Sequence, residues 1–166
     1  HTRLACVTGV QTCALPIDQP GQSIHDIRAA VRKSIKKEPN KRHLVVIDYL
    51  QLISIVGRFD RHDLAIGYIT RELKKLAREF NIPVVLLSQL SRGVEQRQEK
   101  RPMLSDLRDS GNIEQDADVV MFLYRDDYYN RDSEHKNITE VIVAKQRNGP
   151  VDKVETVFIK EYGQFK

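Results

Sequence analysis

His43 to Ile53 reads HLVVIDYLQLI. Four apolar residues, Leu44 to Ile47, run uninterrupted into a single aspartate, Asp48, and the pattern then changes. Such a run predicts a strand over Leu44–Asp48 that is buried on both faces, as in a parallel sheet covered by helices. Ligands of open α/β sheets bind beyond the carboxyl ends of the strands, and an acid placed there often holds a nucleotide-bound magnesium ion. The competing reading is an aspartate that caps the following turn. A magnesium-nucleotide site also needs a phosphate-cradling loop, usually G-x-x-x-x-G-K-S/T, and the 166 residues contain none.

Working outward, Ile66, Ile69, Leu73, Leu76, Ala77 and Phe80 fall on one helical stripe that Asn81 and Pro83 stop. Val84 to Ser88, VVLLS, is a second continuous apolar strand. Strand, helix and strand at this spacing form a βαβ unit, with a right-handed crossover expected. Gln89 then sits at the same end of its strand as Asp48. A neutral amide there can hydrogen-bond a phosphate oxygen and report a γ-phosphate, or it can be an ordinary loop residue.

Upstream, Ser23 and Asp26 have capping-box spacing, and Ile24, Ile27, Val31 and Ile35 recur at helical intervals. A helix from Ser23 to about Lys37 follows, ended by Pro39 and Asn40, with Arg28, Arg32, Lys33, Lys36 and Lys37 on a solvated face. Downstream, Arg92–Pro102 reads as an exposed loop and Ser105–Gln115 as a helical turn or two. Val119–Tyr124, Glu140–Lys145 and Lys153–Ile159 read as strands, the last two separated by the turn signal RNGP.

The composition is that of a soluble globular domain: 40% hydrophobic and 30% charged, with a formal net charge of +4. The basic excess fits nucleic-acid contact without requiring it. No apolar run approaches the ~20 residues that span a bilayer. Cys6 and Cys13 have no partners at metal-ligand spacing, which suits a cytosolic chain. The first residue is His rather than Met, and Val7 to Ile17, VTGVQTCALPI, resembles a translated sequencing adapter. Residues 1–17 are therefore expected to be a non-native leader, with a single domain over 18–166.

Lys145 and Arg147 flank Gln146 before Asn148-Gly149-Pro150, and period-2 spacing puts both cations on one side of a strand. They could stabilise charge on a transferring phosphoryl group, or be a basic pair on a hairpin surface. SDLRDSGNIEQDADVV, Ser105 to Val120, combines Arg108 with Gly111, whose backbone can approach a ligand closely. Tyr124, Tyr128 and Tyr129 read as packing and loop anchors.

The stretches VVIDYLQLI, LLSQLSRGVEQR, KRPMLSDLRDSGNIEQDADVVMFLYRDDYY and EVIVAKQRNGP, with the tail EYGQF, resemble in order and spacing the carboxy-terminal ATPase domain of the DnaB family of bacterial and phage replicative DNA helicases. The likeness runs from about Asp18 to Lys166. It implies an α/β, RecA-like (P-loop NTPase) core. A mainly parallel sheet would be flanked by helices and followed by a C-terminal antiparallel hairpin, with the P-loop strand missing from between the second and third strands.

The resemblance further implies a homo-hexamer that encircles single-stranded DNA at a fork and unwinds duplex DNA 5′→3′ using ATP and Mg²⁺, in the cytoplasm, at the nucleoid or replisome. A primase and a helicase loader would be partners. By the same resemblance, Asp48 is the Walker B acid that positions Mg²⁺, and Gln89 is the γ-phosphate sensor. Lys145 and Arg147 reach a neighbour's site as an arginine finger, and Arg108, Asp109 and Gly111 follow the DNA backbone. The family often has Glu where Asp109 stands.

The phosphate loop, the general-base glutamate and the amino-terminal domain would all lie upstream of this chain. Made alone, the chain is then expected to lack ATPase activity and to be molten or aggregation-prone. The alternative is a stand-alone RecA-like regulatory module that supplies Lys145 and Arg147 in trans. A recombination-type ATPase fits SRGVEQR and KQRNGP less well.

Overall fold

The structure, a computed structural model, describes residues 21–55, 57, 59, 61–110 and 113–166. The leader expected over 1–17 lies outside these residues, as does Gly111. The described chain runs α1 (Ile24–Lys37), β1 (Val45–Ile47), α2 (His62–Phe80), β2 (Val84–Leu86), α3 (Gly93–Gln96), α4 (Ile113–Asp116), β3 (Val119–Tyr124), α5 (Asp126–Tyr129), β4 (Ile138–Gln146), β5 (Asp152–Ile159) and β6 (Gln164–Phe165). Short 3-10 helices occupy Leu50–Leu52 and Leu104–Ser110.

The two long helices start and stop for local reasons. At the head of α1 the Asp26 N–H donates to Ser23 Oγ at 3.3 Å, and the Ser23 N–H donates to an Asp26 carboxylate oxygen at 2.9 Å. Both halves of the capping box are made, which satisfies two N–H groups that a helix start leaves unpaired. Helix α2 ends where Asn81 turns left-handed, φ 52°, a conformation asparagine tolerates better than most residues. Arg28 lies 3.1 Å from Glu72 and Arg32 lies 2.9 Å from Glu79, so two of the five cations read as a solvated face tie α1 to α2 instead.

The buried stripes of these helices make the core. Ile24, Ile27 and Val31 of α1 and Ile66, Ile69, Leu73 and Leu76 of α2 pack with Leu50, Ile53, Leu107, Ile113, Val120 and Phe122. Leu76 is fully buried, and burying a side chain of that size contributes roughly 1.5–3 kcal/mol.

The strands form two sheets. β1 and β2 pair in parallel, Val45 opposite Val84 and Ile47 opposite Leu86, which confirms the βαβ unit. β3, β4, β5 and β6 form an antiparallel sheet in that order. Among the described residues neither β1 nor β2 pairs with β3, so the parallel part consists of two strands and the antiparallel part is the larger. The tail strand β6 was not foreseen; it is two residues long and packs Phe165 against Phe158, ring centroids 4.8 Å apart and tilted by 42°.

The expectation of strands buried on both faces is corrected. Val45, Ile47, Val120 and Phe122 face the helices, whereas Leu44, Val46, Val85, Leu87, Met121 and Leu123 are exposed. Nothing among the described residues packs over that second face. Parallel sheets are normally covered on both sides, and a bare apolar face of this kind favours association.

Arg92–Pro102 is also less free than its composition indicates. Val94 of α3 is buried. Arg97 reaches Asp106 at 2.8 Å, and Arg101 makes a two-pronged contact with Glu140 of β4, 2.9 Å on each side. Arg101 also lies over the Tyr124 ring. This pairing holds the Glu140 carboxyl below its ordinary range, the Arg101 hydrogen bonds being the main cause.

Candidate functional site

Asp48 follows β1 directly, and Gln89 stands three residues past β2. The strands are parallel and in register at Ile47 and Leu86, so both side chains leave the same end of the pair. The backbone locks that end: the Leu87 N–H donates to Ile47 O at 3.0 Å, and the Leu50 N–H donates to Leu87 O at 2.8 Å. The turn after Asp48 is therefore closed by β2. No side chain caps the 3-10 helix that begins there, which removes the reading of Asp48 as a turn cap.

Asp48 and Gln89 are both exposed, and neither side chain has a hydrogen-bond or ion-pair partner among the described residues. No group of three or more His, Cys, Asp or Glu among those residues could cage a metal ion. This donor set fits Mg²⁺, which is usually held by one or two carboxylates, waters and the phosphates of a nucleotide.

A cavity of about 500 Å³ opens beside Gln89. Leu90, Tyr124, Arg125, Tyr128, Tyr129 and Phe158 are among its lining residues. The Arg125 guanidinium lies 5.0 Å from the Phe158 ring centroid, and Tyr128 and Tyr129 meet edge-on at 5.0 Å. Thr139 is buried in the wall, and its hydroxyl has no partner among the described residues. Burial and the hydrogen bond to Asp126 push the Tyr124 phenol up to about 12, so it donates a proton rather than carrying charge. Sequence reading had taken the tyrosines as anchors. Tyr124 and Tyr129 do stack on each other, at 6.0 Å, but they also line a site. The lining residues run from position 89 to 165; no local motif announces such a set.

The same cavity fixes the direction of β3. Its wall joins Gln89 and Leu90, beyond β2, to Tyr124 and Arg125 at the carboxyl end of β3. Lys145 pairs with Val120, at the opposite end of that six-residue strand. At 3.3 Å per residue the two ends of β3 are roughly 17 Å apart. Lys145 and Arg147 are thus not brought to Asp48 and Gln89 within one chain.

They are engaged elsewhere. Lys145 Nζ donates to the carbonyl of Glu114, and Arg147 donates to the carbonyl of Gln115 at 2.9 Å. Both acceptors belong to α4. The Arg147 side chain also lies 3.5 Å from Asp118, and its backbone N–H donates to Asp118 O at 3.0 Å. Asp118 is bonded to Lys74 of α2 as well, and this bond chiefly holds its carboxyl below the ordinary carboxylate range. Thr70 Oγ1 of α2 donates to Asp116 at 2.5 Å. Arg108 and Asp109 lie in the 3-10 helix Leu104–Ser110; their side chains, like Gly111, fall outside the described residues.

A family model for the DnaB-like helicase C terminal domain matches residues 3–166. The chain is 58% identical over 149 residues to the replicative DNA helicase DnaB of Geobacillus stearothermophilus, and 56% identical over 149 residues to the replicative DNA helicase DnaC of Bacillus subtilis. Each match covers 89% of this chain and 32% of the relative, so the chain spans about a third of the length of the curated relatives it matches. Among solved structures, an ATPase domain 58% identical in sequence superposes with a TM-score of 0.85, over 87% of this chain and 51% of that one. A DnaB-like replicative helicase, solved for its interactions with primase, superposes at 57% identity with a TM-score of 0.86, over 89% of this chain and 35% of that one.

Proposed function

The chain belongs to the DnaB-like helicase C-terminal domain family, with a RecA-like fold, and from that premise we propose that its residues 18–166 form the downstream part of a hexameric replicative helicase that unwinds DNA 5′→3′ by ATP hydrolysis. The observation that carries this reading is the placing of Asp48 and Gln89, both without a side-chain partner among the described residues, on adjacent parallel strand ends, with Gln89 bordering an aromatic cavity.

Asp48 would hold the waters around Mg²⁺, and the Gln89 amide would meet the γ-phosphate. When bound, the metal neutralises charge on the phosphates and orients them. The cavity would take the nucleoside, its base against an aromatic lining that includes Tyr128, Tyr129 and Phe158, whose faces suit any base. Lys145 and Arg147, too far from their own chain's nucleotide end, would act on the phosphates of a neighbouring subunit. Arg108, Asp109 and Gly111 would track the phosphates of single-stranded DNA within the ring. A primase and a helicase loader would be partners, in the cytoplasm at the replisome. No described helix is long and apolar enough to cross a membrane.

The 166 residues hold no phosphate-cradling loop, so the reading is tested in a whole ring. A chimaera of the Geobacillus stearothermophilus helicase, with its matching segment replaced by residues 18–166 of this chain, is expected to hydrolyse ATP and unwind a forked duplex. The chain by itself is expected to do neither. A hexameric chimaera without turnover, or Asp48-dependent turnover by the isolated chain, would overturn the proposal.

A further inference from the structure

The contacts of Lys145 and Arg147 carry a consequence beyond their proposed role. Helix α4 begins two residues after Gly111, at the downstream foot of the segment proposed to follow DNA. Its last carbonyls, left without helical partners, are filled by these two cations. The end of α4 and the residues just past it are fixed to α2 through Thr70–Asp116 and Lys74–Asp118. Gln115 and Asp118 hold the Arg147 guanidinium by Nη2 and Nε, along one edge, and so set its direction. Two-pronged donation from that edge to a phosphate on another subunit requires the guanidinium to leave α4.

We propose that Asp118, with the Glu114 and Gln115 carbonyls, is a latch that keeps Lys145 and Arg147 docked on the foot of the DNA loop until a neighbour's phosphates take them. The inference rests on the reading of those two residues as cations acting in trans. Asp118 is a positioning residue in this scheme. Its charge is shared among Lys74, Arg78 and Arg147, all of which act on its carboxyl. Without it three cations would face one another, and Arg147 is the one with somewhere else to go. The exchange links the DNA loop to hydrolysis in both directions. Movement of α4 frees the cations, and withdrawal of the cations unpins α4.

The test uses the chimaeric hexamer, with ATP turnover measured with and without single-stranded DNA. Asp118→Asn keeps the shape and removes the charge. It is expected to raise the DNA-free rate and lower the stimulation by DNA by about threefold or more, the usual scale for residues that couple two sites. Lys74→Met removes the strongest competitor for Asp118 and strengthens its hold on Arg147, and the expected sign reverses: a lower DNA-free rate and a larger stimulation. A structural role alone would reduce both rates together, with a lower melting temperature restored by Asp118→Glu. That outcome, or unchanged stimulation in both variants, overturns the latch. Arg147→Ala serves as the separate control. If it retains turnover, the reading in trans fails; if it abolishes turnover while Asp118→Asn leaves stimulation unchanged, only the latch fails.

Discussion

The two ends of β3 carry opposite kinds of polar chemistry. At the end shared with the mouth of β1 and β2, Asp48 and Gln89 are exposed and bonded to nothing among the described residues. At the other end Lys145, Arg147, Asp118 and the α4 carbonyls are engaged with one another. The first pair is arranged for a ligand to arrive, at no expense to the fold. In the proposed latch the second group exchanges partners when it meets a ligand. One end is suited to binding, the other to responding.

The largest effect expected from this contrast is at the engaged end. In the chimaeric hexamer, Arg147→Ala should lower single-stranded-DNA-stimulated ATP turnover by roughly 10³-fold or more, the scale on which a charge supplied in trans aids phosphoryl transfer. Mixing that variant with an Asp48→Asn subunit, each impaired in its own ring, should give turnover above that of either parent, because the mixed interface of one orientation is whole. A mixture no more active than its parents would break the idea that the ends belong to different sites.

Asp48→Asn alone should cost less, roughly 10–100-fold, the range for groups that orient a metal through its shell. The loss should shrink as Mg²⁺ is raised, which a fault in packing would not do. Titration of turnover against Mg²⁺ reads this directly.

Stability sharpens the comparison further. Asp48→Asn removes no contact and should leave the unfolding free energy of the segment within about 0.5 kcal/mol. Arg147→Ala gives up a bond to the Gln115 carbonyl and should cost about 1 kcal/mol. Thermal unfolding of the two variants against the parent chimaera checks the difference. Equal losses would remove the distinction between a free and an engaged end.

Much of this arrangement is local and was therefore legible. Ser23 and Asp26 announce a helix start, Asn81 and Pro83 a helix end, and the runs before Asp48 and Gln89 identify strands. What sequence could not supply lies in long-range pairing. Arg101 meets Glu140 across 39 positions and Lys74 meets Asp118 across 44, with no spacing rule to join them. The docking of Lys145 and Arg147 on carbonyls was invisible because every residue has a carbonyl. An apolar run reports that Val46 and Val85 can be buried, not that anything covers them, and here both are exposed.

One carboxylate qualifies the contrast. Asp127 lies just past β3 at the free end, yet its side chain is nearly covered and fully engaged. Lys160 donates to it at 2.8 Å, the Asn137 N–H at 3.1 Å, and Arg125 closes from the side. These contacts, Lys160 first, hold its carboxyl down at about 2. A carboxyl depressed in the folded state stabilises fully above its unfolded value, near about 3.9, and that stability is lost as pH falls through its folded value. Asp127 should therefore help hold the antiparallel sheet at pH 5 and above, and cease to do so between about pH 4 and about pH 2. Asp127→Asn, which keeps the shape, should lower the melting temperature at pH 6 and narrow the gap to the parent as pH approaches 2. Arg125 borders the cavity and leans on Asp127, so the same variant should weaken nucleotide binding at neutral pH by a smaller factor than Asp48→Asn. An Asp127→Asn protein with an unchanged acid limb would mean that the free end is unpinned throughout, and the contrast between the two ends would then hold without exception.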